Sequence, residues 1–414
     1  MLENLVIAGF LLAFCMIANR LARSIVTAPM VFLGFGVLIT LTGMKPEFVT
    51  EETLHLVAEI ALIILLFLDA AQIDQKALIK RNTWPRRMLL LGLPLAFLFG
   101  TGAGMVLLPG WPIAAIALVA AILMPTDAAL GQPVISNLDV PDRARRALTV
   151  ESGLNDGLAL PVVLLMASFA APIAMAPDQG WLLFTVKQIS LGPLVGAGVG
   201  SLGGYILLWA KRTQSTSEIY EGIGALALAA AAFLAADVVG GNGLIAAFCA
   251  GLGFGAIVRG RCAFVYEFTE GEGQLLSWSA FFLLGAVLVP EAAAHLTLQT
   301  LILILVSLVL VRPISIWISL IGTDATPRTR LFFGWFGPRG LATALFALFV
   351  FDQLEHGLSE AVLHIAINAV WISAVLHGLT AAPGAALYAR LSEPHKNSAA
   401  EPTHNSAAKG VKND

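Results

Sequence analysis

Apolar residues in this chain come in long unbroken runs, not in the alternating or one-sided stripes of water-soluble strands and helices. About thirteen runs reach the roughly 15–25 residues needed to cross a bilayer core. They cover 4–19, 25–43, 54–72, 88–108, 112–133, 147–173, 181–210, 218–238, 243–258, 274–290, 297–321, 331–351 and 360–390. Each is expected to be a transmembrane helix, because a helix in hydrocarbon satisfies its own backbone donors and acceptors. The last run is long enough to hold a break near Gly378 or Pro383. The pattern predicts an all-α polytopic membrane protein.

The polar positions between runs alternate in charge. The loop after the first run, every second loop from there, and the C-terminal tail together hold twenty of the 24 Lys and Arg residues. The opposite loops hold Lys45, while Lys187, Arg312 and Arg339 fall inside runs. This bias predicts an N-terminus outside and a C-terminus in the cytoplasm. Glu3 precedes the first run and Arg20 and Arg23 follow it, the reverse of a cleavable signal peptide, so that run is expected to be retained. Residues 392–414 are polar and low in complexity, and are expected to form a disordered cytoplasmic tail behind a transmembrane domain of residues 1–391.

Composition agrees: 58% of residues are hydrophobic and 12% charged, against about a quarter charged in soluble domains. The expected partner is the lipid bilayer, and nucleic acid is not expected. Cys15, Cys249 and Cys262 have neither paired nor metal-ligand spacing and read as packing residues. The chain carries no nucleotide-binding glycine loop and no nucleophile elbow, so neither an enzyme nor a cofactor is expected.

Two runs are interrupted by glycine and proline around a charge. The fifth contains MPTDAALGQP (Met124 to Pro133) and the twelfth GWFGPRG (Gly334 to Gly340). If runs one to six and eight to thirteen are inverted copies, these interruptions correspond, as broken helices do in repeat-built transporters. Backbone groups freed there need a polar cavity or a neighbouring helix.

The sixth run opens on TVESGLNDGLALPVVLL, Thr149 to Leu165. A charge near the bilayer centre costs roughly 2.5–3.5 kcal/mol on insertion scales, so acids there usually bind or relay ions. Ser152 and Asp156 lie four apart on one helical face and can form an oxygen-rich site. Glu151 and Asp156, five apart, point about 140° from each other and so ask for different partners. Glu151, beside Asn155, reads as the counter-charge of a structural arginine. Arg339 in the twelfth-run break must be paired, and Glu151 is its best unassigned acid. Asp127, after Thr126 in the fifth-run break, reads as a cation ligand, as the N-cap of the half-helix that follows, or as both. Arg312, before Pro313, reads as half of a structural ion pair or as a donor to kinked backbone. Glu59, Asp69, Glu218 and Asp237 read as vestibule or structural groups, and His364 and His377 as packing residues.

ESGLNDG, with PTDAALG before it and FGPRG far downstream, resembles the bacterial monovalent cation:proton antiporters of the sodium/proton exchanger type. GGNGLIAAFCAGLGFG (Gly240 to Gly255) and EGQLLSWSAFFLLGAVL (Glu272 to Leu288) are similar to it too, so the resemblance spans nearly all of the chain to about Arg390. It implies that Asp156 carries the ion and the proton, that Thr126, Asp127 and Ser152 line the monovalent-cation site with it, and that Asn155 belongs to an Asn-Asp pair that goes with electroneutral exchange. It implies a buried ion pair of Glu151 with Arg339, core and dimerisation domains, and a homodimer in the bacterial inner membrane. Where the family often has Thr-Asp-Pro, this chain has Pro125 before Asp127 and Ala128 after it. The expected function is exchange of Na⁺, or of K⁺ or Li⁺, for H⁺, without ATP. A cation channel and a sodium-coupled organic-solute symporter are the alternatives.

Overall fold

The computed structural model describes residues 2–21, 24–73, 83–171, 181–259 and 261–392. The expected disordered tail, from residue 393 onward, lies outside the described residues. Every long element among those described is a helix. In chain order these are α1 (Leu2–Leu21), α2 (Ala28–Leu41), α3 (Glu51–Ala71), α4 (Thr83–Leu107), α5 (Ile113–Ile122), α6 (Ala128–Ile135), α7 (Asp142–Ala170) and α8 (Trp181–Arg212). There follow α9 (Glu218–Val238), α10 (Gly243–Val258), α11 (Ala263–Val287), α12 (Val289–Ala294), α13 (Leu298–Ser319), α14 (Pro327–Trp335), α15 (Leu341–Phe349) and α16 (His356–Ser392).

Eight of these elements are long and apolar enough to cross a membrane. Apart from the interruptions in the fifth and twelfth, the apolar runs of the sequence fall largely on helix, and polar caps set several starts. Thr27, Thr50, Asn242 and Thr326 each accept a backbone N–H from the first turn that follows, and Thr297 and Thr300 form a reciprocal capping box before α13. Apolar side chains such as Leu12, Leu202, Trp209 and Val238 face outward, as a lipid-facing surface requires. Between helices, small residues permit close packing without a hydrophobic driving force. Gly196 and Gly200 of α8 lie against the Ala246 and Ala250 carbonyls of α10, where any Cβ would collide.

Both expected breaks exist, and they meet. Residues 123–127 separate α5 from α6, and residues 336–340 separate α14 from α15. The two extended links cross, joined by the Asp127 N–H donating to the Pro338 carbonyl at 2.9 Å. A second matched pair supports the repeat. The fourth and eleventh runs each hold a π-helical turn, Met88–Gly92 in α4 and Ser307–Val311 in α13. Each turn is followed within two residues by a proline, Pro94 or Pro313, which cannot donate to the preceding turn.

The last run departs from expectation: α16 is continuous through Gly378 and Pro383. The glycine serves packing instead, since a Cβ at Gly378 would collide with the Met30 side chain of α2.

The arginine-bearing ends of α4, α7 and α14 gather around a smaller core that includes Trp84, Met88, Phe332, Phe333 and Tyr388. There Asp324 accepts from Trp84 Nε1 at 2.7 Å and from Arg143 Nη2 at 3.0 Å. The Arg143 guanidinium beside it holds the Asp324 carboxyl below the usual carboxylate range.

Candidate functional site

The crossing of the two links lies against the middle of α7, which brings the charged residues of three separate segments together. Glu151 is 2% exposed and Arg312 3%. Their side chains form a bidentate pair, Arg312 Nη1 to Glu151 Oε1 and Nη2 to Oε2, both at 3.1 Å. The expected Glu151–Arg339 pair is therefore corrected: the arginine that Glu151 takes is Arg312. Arg312 follows directly on the π turn of α13, one residue before Pro313, and its side chain reaches Glu151 of α7.

Arg339 is spent on backbone. Its Nη1 donates to the carbonyls of Met124 and Pro125, the latter at 2.9 Å. These are acceptors freed where α5 stops, at the negative end of a helix dipole. Its own N–H donates to Ser373 Oγ at 2.7 Å, and Ser373 is in turn hydrogen-bonded to His377 Nδ1 at 3.0 Å.

Asp127 does the mirror-image task. Its Oδ2 accepts the Leu341 N–H at 2.7 Å, at the N-terminus of α15. The expected cap is thus seen at the half-helix of the other break, α15. Gly340 makes room, since a Cβ there would fall on the Asp127 carboxylate. An acid from one break steadies the positive end of a half-helix in the other, and an arginine returns the favour at a negative end.

Thr126 ties this crossing to α7. Its Oγ1 accepts from Asn155 Nδ2 at 2.6 Å and lies 3.4 Å from both Glu151 Oε2 and Ser152 Oγ. Asn155 Nδ2 also reaches Glu151 Oε1 at 3.5 Å. Ser152, Asn155 and Thr126 are all buried.

Asp156 stands apart from these pairings. Its Oδ1 is buried without a hydrogen-bond partner among the described residues, and so is Oδ1 of the adjacent Asn155. The acidic charges that bear on it are Asp127, Asp69 and Glu151. Asp69 was not singled out from sequence as a site residue. It sits near the end of α3, on the side that meets α7, where a Cβ at Gly153 would lie 3.4 Å from Asp69 Cβ. The signal was available, since Asp69 is a carboxylate inside the apolar stretch LLFLDAA.

The arrangement has a chemical sense. Arg312 neutralises Glu151, and Arg339 is turned to carbonyls. Asp156 and Asp69 bring carboxyl groups to a region where Thr126, Ser152 and Asn155 supply hydroxyl and amide oxygens. Such an all-oxygen set suits a hard cation. Asp156, Ser152, Asn155 and Thr126 are the residues placed to hold one.

Known proteins share both the sequence pattern and the fold. The profile of a family described as sodium/hydrogen exchanger, transmembrane, matches residues 8–386. The chain is 27% identical over 278 residues to the K(+)/H(+) antiporter NhaP2 of Shewanella oneidensis, covering 65% of this chain and 46% of that protein. It is 26% identical over 377 residues to the protein of the same name from Shewanella sp. strain ANA-3, covering 86% and 62%. The chain thus spans about half to three fifths of the length of these curated relatives. In fold it is similar to the sodium proton antiporter MjNhaP1 of Methanocaldococcus jannaschii, with TM-score 0.77 and 19% identity over 94% of this chain and 99% of that one. With the profile matching nearly end to end, the chain belongs to the sodium/hydrogen exchanger transmembrane family.

Proposed function

We propose that this protein exchanges a monovalent alkali cation for H⁺ across a bacterial inner membrane, with Asp156 as the group that carries each in turn. The observation that carries the reading is the Asp156 carboxylate, half-buried, with its Oδ1 enclosed and unpartnered, one residue on from Asn155, whose amide Oδ1 is likewise enclosed and unpartnered among the described residues. The other charges at the crossing already have work: Glu151 with Arg312, Asp127 with the α15 terminus, Arg339 with α5 carbonyls. A bare carboxylate in a desolvated site is stabilised either by a proton or by a cation. The two compete, and that competition couples their fluxes.

Transport then requires the loaded site to change the side it faces, by movement of the crossing and its helices against a scaffold. Sodium is the first candidate cargo from the sequence motif, and potassium is the competitor because the sequence relatives bear that name. A homodimer, with the N-terminus outside and the C-terminus in the cytoplasm, completes the reading.

The test is a purified protein in liposomes with an internal pH dye, scanned with Li⁺, Na⁺ and K⁺. Cation-driven proton movement is expected in the parent protein and is expected to vanish in Asp156→Asn, with thermal unfolding unchanged. Undiminished exchange in a well-folded Asp156→Asn protein would sink the assignment, and uncoupled cation current would replace exchange by a channel.

A further inference from the structure

Buried polar atoms without a hydrogen-bond partner are rare in a folded interior, and each one asks for a reason. Among the described residues, such side-chain atoms lie on Asn155, Asp156, Arg312, Arg339 and Thr343, at or beside the crossing of the two breaks, and on Arg87 at the start of α4. Asn155 and Asp156 belong to the site already described. The two crossing arginines are engaged through their other nitrogens. That leaves Thr343, whose hydroxyl has no task in the folding of the chain.

The local backbone explains why this hydroxyl stands alone. A threonine inside a helix usually donates to the carbonyl one turn back. Thr101 does so to Phe97 and Thr380 to Leu376, both at 2.8 Å. Four residues before Thr343 stands Arg339, which lies in the break and not in the helix. Thr343 is 1% exposed, so solvent does not serve it either.

Its place in the fold is next to the charges of the crossing. Thr343 is in the first turn of α15, two residues past Leu341, whose N–H is held by Asp127 Oδ2. The cap residue of α15 is Gly340, and the Asp127 carboxylate fills the space that a cap side chain would take. That carboxylate also offsets the positive end of the α15 dipole, which would otherwise repel a cation. On its other sides α15 packs on α3 and on α7, the helices that carry Asp69 and Asp156.

Stability alone gives no ground for a hydroxyl here. Replacing a buried, unpartnered hydroxyl by an apolar group of the same shape is neutral or stabilising. A hydroxyl oxygen is, however, a donor that suits a hard cation. We propose that Thr343 supplies an oxygen to the alkali cation carried by Asp156, and that this oxygen helps to set which alkali cation is preferred. The inference rests on the antiport reading above. Preference among such ions follows the number and field strength of the oxygens around them, so removal of one shifts it.

The test is a pair of substitutions in the full chain. Thr343→Val keeps the shape and removes the hydroxyl, whereas Thr343→Ser keeps the hydroxyl and removes a buried methyl. Thermal unfolding in detergent reads cation binding as a rise in melting temperature. It is run at alkaline pH, where the proton competes less, with choline exchanged for Li⁺, Na⁺ or K⁺ at constant ionic strength. In choline, Thr343→Val is expected to melt at or above the parent and Thr343→Ser below it. The half-saturating cation concentration is expected to rise about tenfold or more in Thr343→Val and to stay within about twofold of the parent in Thr343→Ser. The order of preference among the three cations changes in Thr343→Val alone. A packing role would instead make Thr343→Ser the more damaged protein in both readouts. Parent-like cation dependence and preference in Thr343→Val, or an equal loss in Thr343→Ser, overturns the proposal, as does a parent whose melting ignores all three cations. In liposomes the same change is expected as a raised apparent KM for the cation in Thr343→Val, with a maximal rate close to the parent's. A parent that binds cation and does not exchange it would fail the antiport reading, while the melting curves still decide the role of Thr343.

Discussion

Glu151 and Arg312 are each almost fully buried and meet in a two-bond fork. Taking one member away leaves an uncompensated charge in a low-dielectric interior, which typically costs about 3–5 kcal/mol. Glu151→Gln and Arg312→Ala are therefore each expected to lower thermal stability by that order, and the double change to cost clearly less than the sum. The same cycle run on Glu151 and Arg339 is expected to be closer to additive, because Arg339 donates to carbonyls and not to this acid. Strict additivity for Glu151 with Arg312 would show that the fork contributes nothing. Two arginines inside apolar runs, Arg312 and Arg339, were both visible in the sequence. Which of them would reach Glu151 was not, since the partners lie 161 residues apart and only the packing of the helices brings them together.

At the scale of elements, the two broken helices steady each other through exchanged charges. The Asp127 side chain holds the first free N–H of α15, a helix whose N-terminus would otherwise point an unpaired donor into the bilayer interior. Loss of a capping acceptor costs about 0.5–2 kcal/mol. Asp127→Asn keeps an acceptor oxygen and is expected to hold most of the stability that Asp127→Ala loses, as read by thermal unfolding in detergent. Equal losses in the two variants would mean that charge at the helix dipole, not the hydrogen bond, matters. The breaks themselves were legible, because Pro125, Pro338 and the glycines around them disfavour a continuous helix. A similar cue misled at Gly378 and Pro383, where α16 runs on. There the packing of Met30 into the glycine gap holds the helix in place, and that is a tertiary fact.

For the whole molecule, the open question is how many carboxylates take part in one cycle. Asp127 has a structural task and Glu151 is neutralised, so in the proposed cycle Asp156 is the carrier, and Asp69 is the other acid that bears on it with no side-chain partner among the described residues. With one carrier, each half-cycle moves the same charge, so exchange is expected to be one-for-one and blind to voltage. A net charge moved per turnover would respond with about 2.3 kcal/mol per 100 mV. Liposomes clamped with a potassium/valinomycin potential of either sign, with Na⁺ as the transported ion, read this directly as the steady-state proton gradient. A gradient that shifts with the potential would bring a second titrating group into the cycle. Asp69→Asn should then abolish the shift.

The sequence by itself determined what depends on neighbours along the chain. Long apolar runs dictate helices because hydrocarbon leaves the backbone no other way to pair. Prolines and glycines dictate the breaks, and spacing by four puts Ser152 on the face of Asp156. Only the tertiary structure decided what depends on neighbours across space. It matched Glu151 to Arg312, turned Asp127 to the far half-helix, brought Asp69 of α3 against α7 near Asp156, and stacked His295 at the end of α12 on His364 of α16. Those choices follow from where each helix packs on its neighbours and how closely glycine lets it approach, and neither is written in any single run of residues.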